Sequence, residues 1–297
     1  MAALFLIGIA LTPRIVFVFP AVEQYLARAA DTPEAARTEL YFSLVLEPHL
    51  NDCFSFPSFH PSHSDLVGMT SGNPAGWNFP AARREIETLK ANRRELQSSI
   101  RSALTAAERQ LPGHSPGTVC VLYYEPTNPV RAPMNGVMAY TPSENILDLY
   151  VAPVPGWKDW VAYNLAHESH HADWMHLHPG ADVFGFTLTD YLVFEGRADQ
   201  FAHAITGLDG AWTHALSKPE ECRWMKAIRP HLAETGPLLP QVMFGRGGTY
   251  PRWTGYTLGY GIVGAFLARH PGMKPAEWTA MDAKRLFDES GFAPCER

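Results

Sequence analysis

Apolar side chains recur at Ile86, Leu89, Leu96, Ile100, Leu104, Ala107 and Leu111, with Arg and Glu between them. This is the period of one helix face, so residues 81–111 are predicted to form a single long amphipathic helix, ended by Pro112-Gly113. Ile15 to Phe19 is a continuous apolar run that reads as a buried strand, followed by short helices near Glu23–Ala30 and Glu34–Leu46. Residues 49–80 are dense in Pro, Ser, Gly, His and Asn and read as a long loop. Thr118–Tyr124, Gly136–Tyr140 and Asn145–Val151 are rich in β-branched and aromatic residues and are separated by turn signals, which predicts a small sheet. From Trp157 onward the pattern is helical nearly to the end, broken at Gly and Pro pairs. The fold class expected is α+β, a small and mostly antiparallel sheet packed on a mainly helical body.

Composition narrows the function classes. The chain has 297 residues, 46% hydrophobic and 18% charged, which fits neither a disordered nor a polytopic membrane protein. Thirty acids against 24 bases give a net charge of -6, so no cationic field attracts a phosphate backbone, and no nucleic-acid partner is expected. Residues 1–14 form an apolar segment of uncertain role, and 15–297 are expected to make one domain. Thr12-Pro13-Arg14 and Pro20 interrupt the apolar opening, so it is not read as a membrane span, and no firm membrane association is expected. Ala27-Arg28-Ala29 has the form of a signal cleavage site but no basic stretch precedes it, so the expectation is a cytoplasmic protein, with export or membrane association through the apolar N-terminus as the alternative. Cys53, Cys120, Cys222 and Cys295 are far apart and form no CxxC pair, so neither a zinc ribbon nor a disulfide scaffold is expected.

Histidine is the unusual count. Five of the 13 fall between His167 and His178. Within them, His167-Glu168-Ser169-His170-His171 is an H-E-x-x-H string. Residues four apart share a helix face, so His167 and His171 can direct both imidazoles at one cation, while Glu168 stands beside it as a base for water. A hydrolytic zinc site needs a third protein ligand. The Gly and His of the metzincin extension are absent, Trp174 and Leu177 standing in their places. Glu195, 24 residues after His171 on a second helix near 186–204, supplies a carboxylate instead. Asp199, one turn later, is placed to accept the free ring N–H of a ligand histidine. His170, His176 and His178 read as solvated helix-end residues, and His60 and His63 as solvated loop residues.

Asn135-Gly136, the strand Asn145–Leu149, Ala166–Ala172 (AHESHHA), Phe194–Ala198 (FEGRA) and Pro251–Val263 (PRWTGYTLGYGIV) together resemble the YjaZ-like family of predicted zinc-dependent proteases. The resemblance runs from about Thr118 to Leu267. It implies a zincin-like fold of the gluzincin type, a Zn2+ ion on His167, His171 and Glu195, Glu168 as catalytic base, and a peptide or protein substrate. Tyr256 and Tyr260, one helical turn apart, are candidates to stabilise an oxyanion, with Arg252 as a substitute. Two other readings use the same residues: a zinc amidohydrolase acting on a small molecule, and a non-catalytic metal-binding protein.

One motif is rejected. Gly113-His114-Ser115-Pro116-Gly117 matches the G-x-S-x-G elbow of serine hydrolases. The elbow needs a strand before it, a helix after it and an N–H following the serine; here the order is reversed and Pro116 has no N–H.

Overall fold

The structure, a computed structural model, describes residues 13–55, 60–111 and 114–295. Most of the apolar segment 1–14 therefore lies outside the described residues. Strand β1 (Arg14–Phe17) leads into α1 (Phe19–Ala29), α2 (Glu34–Tyr41), α3 (Leu50–Cys53), α4 (His63–Ser71), α5 (Phe79–Ala91) and α6 (Arg93–Gln110). Three strands follow, β2 (Thr118–Tyr123), β3 (Val137–Ser143) and β4 (Ile146–Val151). The rest is helical: α7 (Trp157–Leu177), α8 (Leu188–Thr206), α9 (Lys218–Ile228), α10 (Leu238–Phe244), α11 (Thr254–Arg269), α12 (Pro275–Thr279) and α13 (Ala283–Ser290).

The α+β class holds, but the sheet is mixed and not mostly antiparallel. Its order is β1-β2-β4-β3, with β1/β2 and β2/β4 parallel and only β3/β4 antiparallel. Helices α1 to α6 carry the chain between β1 and β2 and provide the long crossover that parallel pairing requires. β3 returns as a hairpin with β4 but lies on the outer side, so β4 slots in beside β2. Val119 to Tyr123 is buried at every position, as expected of a central strand with both faces covered.

Two helical expectations change. Residues 81–111 are split at Asn92, whose backbone (φ -91, ψ 6) leaves the helix while its side chain donates to the Thr88 carbonyl. Leu89 and Leu96 are seven residues apart, so the apolar period continues through the break and conceals it. Residues 49–80 are not one long loop, because α3 and α4 lie within them. Ser62 starts α4 by accepting the Asp65 N–H, and His63 stacks on Phe42.

The cysteine expectation is overturned. Cys53 pairs with Cys120, and Cys222 with Cys295. The partners are 67 and 73 residues apart and meet only through the fold, so local spacing carries no sign of them. One bridge ties α3 to β2; the other ties the C-terminal tail to α9.

Buried apolar side chains form two clusters, and α7 belongs to both. Trp157, Val161, Leu165 and Ala172 pack with the sheet and the early helices. Tyr163, Ala166 and Trp174 pack with α8, α11 and the late helices. Every residue of α7 from Asn164 to Trp174 is buried, so this helix is covered all round and its polar residues face protein. Among the described residues no helix is long and apolar enough to cross a membrane.

Candidate metal centre

Helix α7 starts after Gly156, which takes a left-handed conformation (φ 78). α8 starts with a reciprocal cap: Thr187 Oγ1 accepts the Asp190 N–H at 3.2 Å, and Asp190 Oδ2 accepts the Thr187 N–H at 3.0 Å. These starts set the helices' phase, and the two face each other through His167 and His171 of α7 and Glu195 of α8. The Nε2 atoms of His167 and His171 are 3.0 Å apart. Glu195 Oε2 stands 3.2 Å from the first and 3.4 Å from the second. All three residues are buried.

This triangle fits the zinc that the sequence motif implies. Bonds of 2.0–2.2 Å at tetrahedral angles separate ligand atoms by about 3.3–3.6 Å, so the triangle needs to widen by only a few tenths of an ångström. Three electron-rich atoms converging within a buried volume also need a cation or shared protons between them. The two imidazoles and one carboxylate are a mixed N/O set that suits zinc.

The backing of the triangle is just as specific. Asp199 is wholly buried, and its Oδ1 lies 2.9 Å from each of His167 Nδ1, Tyr163 Oη and Trp212 Nε1. A carboxylate oxygen only accepts, so His167 Nδ1 carries a hydrogen, and Nε2 presents its lone pair to the triangle once the proton it shares with Glu195 is displaced by a cation. His171 is oriented differently. Phe194 stacks on its ring at 3.9 Å, and its Nδ1 is buried with no hydrogen-bond partner among the described residues. Burial pushes the Glu195 carboxyl up, but hydrogen bonds from His167 and His171 outweigh it and hold the group at about 2. Burial lowers His167, yet Asp199 and Glu195 override it and leave the imidazole well above its usual value.

Glu168 sits beside the triangle on α7. Its Oε2 accepts a 2.6 Å hydrogen bond from Thr141 Oγ1 on β3, which also reaches the Glu168 carbonyl at 3.1 Å. Asp148 of β4 is buried behind it with Oδ1 unpartnered among the described residues, and burial together with the charge of Glu168 pushes its carboxyl well up. Tyr140, paired with Asp148 in the sheet, is pushed up to about 12 by burial and by the charges of Glu168, Asp148 and Glu195.

The two tyrosines of α11 separate. Tyr256 packs on Phe244, and burial with the charges of Glu195, Tyr191, Asp199 and Glu168 raises its phenol strongly. Tyr260 is not brought to the cluster; its hydroxyl donates to Asp209 at 2.7 Å, among His203 and His214. Arg252 is exposed and lies over the Trp253 ring.

His170 also departs from expectation. It is fully buried, stacked on Trp278 with Nε2 3.1 Å from Thr279 Oγ1, and burial holds it well below the usual imidazole value. His178 caps its own helix, with Nδ1 2.8 Å from the Trp174 carbonyl.

Thr141, Asp148, Tyr163 and Trp212 were not singled out by sequence reasoning. Thr141 lies one residue beyond the predicted strand Gly136–Tyr140, and Asp148 lies in a strand that enters the family resemblance as a whole; in neither place does a lone Thr or Asp give a sign of what it faces. Tyr163 alone carried a usable signal, since it precedes His167 by one helical turn on the face that points to α8.

A family model described as "Predicted Zn-dependent protease (DUF2268)" matches residues 96–288, which span β2 to β4, both facing helices and α11. No curated protein and no solved structure matches the chain. With nearly two thirds of its length covered, and with the His167, Glu168 and His171 group inside the match, the chain belongs to this family of predicted zinc-dependent proteases.

Proposed function

We propose that the chain is a zinc peptidase in which His167, His171 and Glu195 hold the ion and Glu168 is the general base. The observation that carries this reading is the 3.0, 3.2 and 3.4 Å triangle of ligand atoms with a tethered carboxylate beside it. Bound zinc supplies a Lewis acid that polarises the scissile carbonyl and makes water more acidic. Glu168, held by Thr141, takes the proton from the attacking water and passes it to the leaving amine. Tyr256 donates to the oxyanion that develops on the carbonyl. Asp199 keeps His167 in the tautomer that offers Nε2. An extended substrate backbone pairs with the outer edge of β3, the last strand of the sheet and the one that carries Thr141. The two disulfides favour an oxidising compartment, and so export over the cytoplasmic location.

The test combines metal analysis with digestion of a peptide library by wild type and Glu168→Gln. The expected result is about one zinc per chain lost in His167→Ala/His171→Ala, together with cleavage that drops by about 10² to 10⁴ in Glu168→Gln while its zinc is retained. Undiminished cleavage in Glu168→Gln would refute the base. Cleavage confined to small amides would move the reading to an amidohydrolase.

A further inference from the structure

The far end of α7 carries a second group of metal-type donors, outside the centre described above. His114 comes from the segment entering β2, the same stretch that mimics a serine elbow. Glu144 sits in the turn between β3 and β4, and His176 is in the last turn of α7. One ligand atom from each lies within 4.8 Å of the others, a span that also contains the His167, Glu168 and His171 group. The two imidazoles are stacked, with centroids 4.5 Å apart and planes 12° from parallel.

The hydrogen bonds decide what these rings offer. His114 Nε2 lies 2.7 Å from the Glu144 carbonyl oxygen. A carbonyl only accepts, so Nε2 carries the hydrogen and Nδ1 keeps a lone pair when the ring is neutral. A ligand histidine is commonly held this way, its second nitrogen anchored to a backbone carbonyl. His176 Nδ1 lies 2.9 Å from Glu144 Oε2 and shares a proton with it; an ion replaces that proton once His176, about half exposed, turns out of its stack on His114, because a metal lies in the plane of each ring that binds it. The last turn of α7 adds the partial negative charge of its unsatisfied carbonyls, which favours a cation there. Asp173, buried one turn before His176, adds a further carboxylate on the same side of the helix.

We propose that His114, Glu144 and His176 form a second site for a divalent transition-metal ion, zinc above all, at the C-terminal end of α7. Two imidazoles with a carboxylate select zinc, copper or nickel over calcium and magnesium, which prefer all-oxygen shells. The ion would clamp three segments that no other covalent link joins: the entry to β2, the β3–β4 turn and the end of the helix that carries His167 and His171. Because His176 and Glu144 are each about half exposed, this site exchanges with solvent more readily than the buried triangle.

Equilibrium dialysis against micromolar Zn2+, read by elemental analysis, separates the two sites. Wild type should hold about two ions per chain, and His114→Gln/His176→Gln and His167→Ala/His171→Ala about one each. Zn2+ should raise the melting temperature of His167→Ala/His171→Ala, and adding Glu144→Gln should remove that rise, whereas Ca2+ and Mg2+ should leave it unchanged. The proposal is overturned if folded His167→Ala/His171→Ala, checked by circular dichroism, binds no zinc, or if His114→Gln/His176→Gln binds as much as wild type. Should the ion persist in His167→Ala/His171→Ala and in wild type be the sole one, the peripheral site stands and the triangle reading fails instead.

Discussion

Asp199 accepts three hydrogen bonds on one oxygen, so its side chain does more positioning per atom than any other in the centre. Asp199→Ala frees the His167 ring and leaves the Tyr163 and Trp212 donors without an acceptor; zinc affinity measured by competition with a chelator should fall about 10 to 100-fold. Thr141→Val removes one hydrogen bond to a charged group, worth about 1.5 kcal/mol or more, so kcat should fall at least about tenfold with zinc content unchanged. Equal losses of zinc and activity would show that Thr141 supports the fold and not the base. Asp148 gives a pH test. Its pKa is raised on folding, so the folded chain holds a proton that the unfolded chain has released, and stability falls as pH rises above the ordinary carboxyl range. Asp148→Asn lacks this loss, so its denaturation midpoint in chelator should gain on wild type between pH 5 and pH 8. His167, Glu168, His171, Glu195 and Asp199 were legible in the sequence because helical period is local and fixes which residues share a face. Thr141 and Asp148 were not, since their meaning depends on which strand lies against α7.

At the scale of elements, the glycines in FEGRA and TLGYG have a packing role. A Cβ on Gly196 would stand 2.2 Å from the Gly259 carbonyl oxygen, and a Cβ on Gly259 would stand 2.2 Å from that of Leu192. Helices α8 and α11 therefore cross backbone to backbone, which places Tyr256 on the same side as Glu195 and turns Tyr260 one helical turn away, toward Asp209. Gly196→Ala forces the helices apart and should cost about 1–3 kcal/mol or more by urea denaturation, with zinc binding weakened because Glu195 moves with α8. An unchanged midpoint would mean that the crossing relaxes freely. The same scale explains what the apolar pattern gave correctly and what it hid. It located β2, β3, β4, α7 and α8 within a few residues, since each carries its own run. It hid the break at Asn92 and the strand order, because a seven-residue step keeps helical phase and pairing partners leave no mark on a strand's own sequence.

For the whole molecule, the two bridges are distributed one to each side of α7. Cys53–Cys120 closes a loop of 67 residues that includes α4, α5 and α6 and locks it to the central strand. Opening such a loop raises the entropy of the unfolded chain, so Cys53→Ser/Cys120→Ser should lose about 2–5 kcal/mol, read as a lower melting temperature. Reductant should lower the wild-type melting temperature and leave a variant lacking all four cysteines unaffected. The lack of a CxxC pair in the sequence excluded only local motifs; it held no information on partners that the chain brings together across the sheet.

The second bridge changes how damage to this chain would look. Arg246 to Thr249 is an exposed turn lying between Cys222 and Cys295 in the chain. A trypsin nick after Arg246 therefore cuts the backbone without releasing the C-terminal piece, which stays tethered through the sulfurs. Electrophoresis without reductant should show a band of unbroken mass, and added reductant should split off the small fragment. A preparation judged intact under oxidising conditions would thus conceal any nicked chains within it, because the tether keeps both sides of the cut on one molecule.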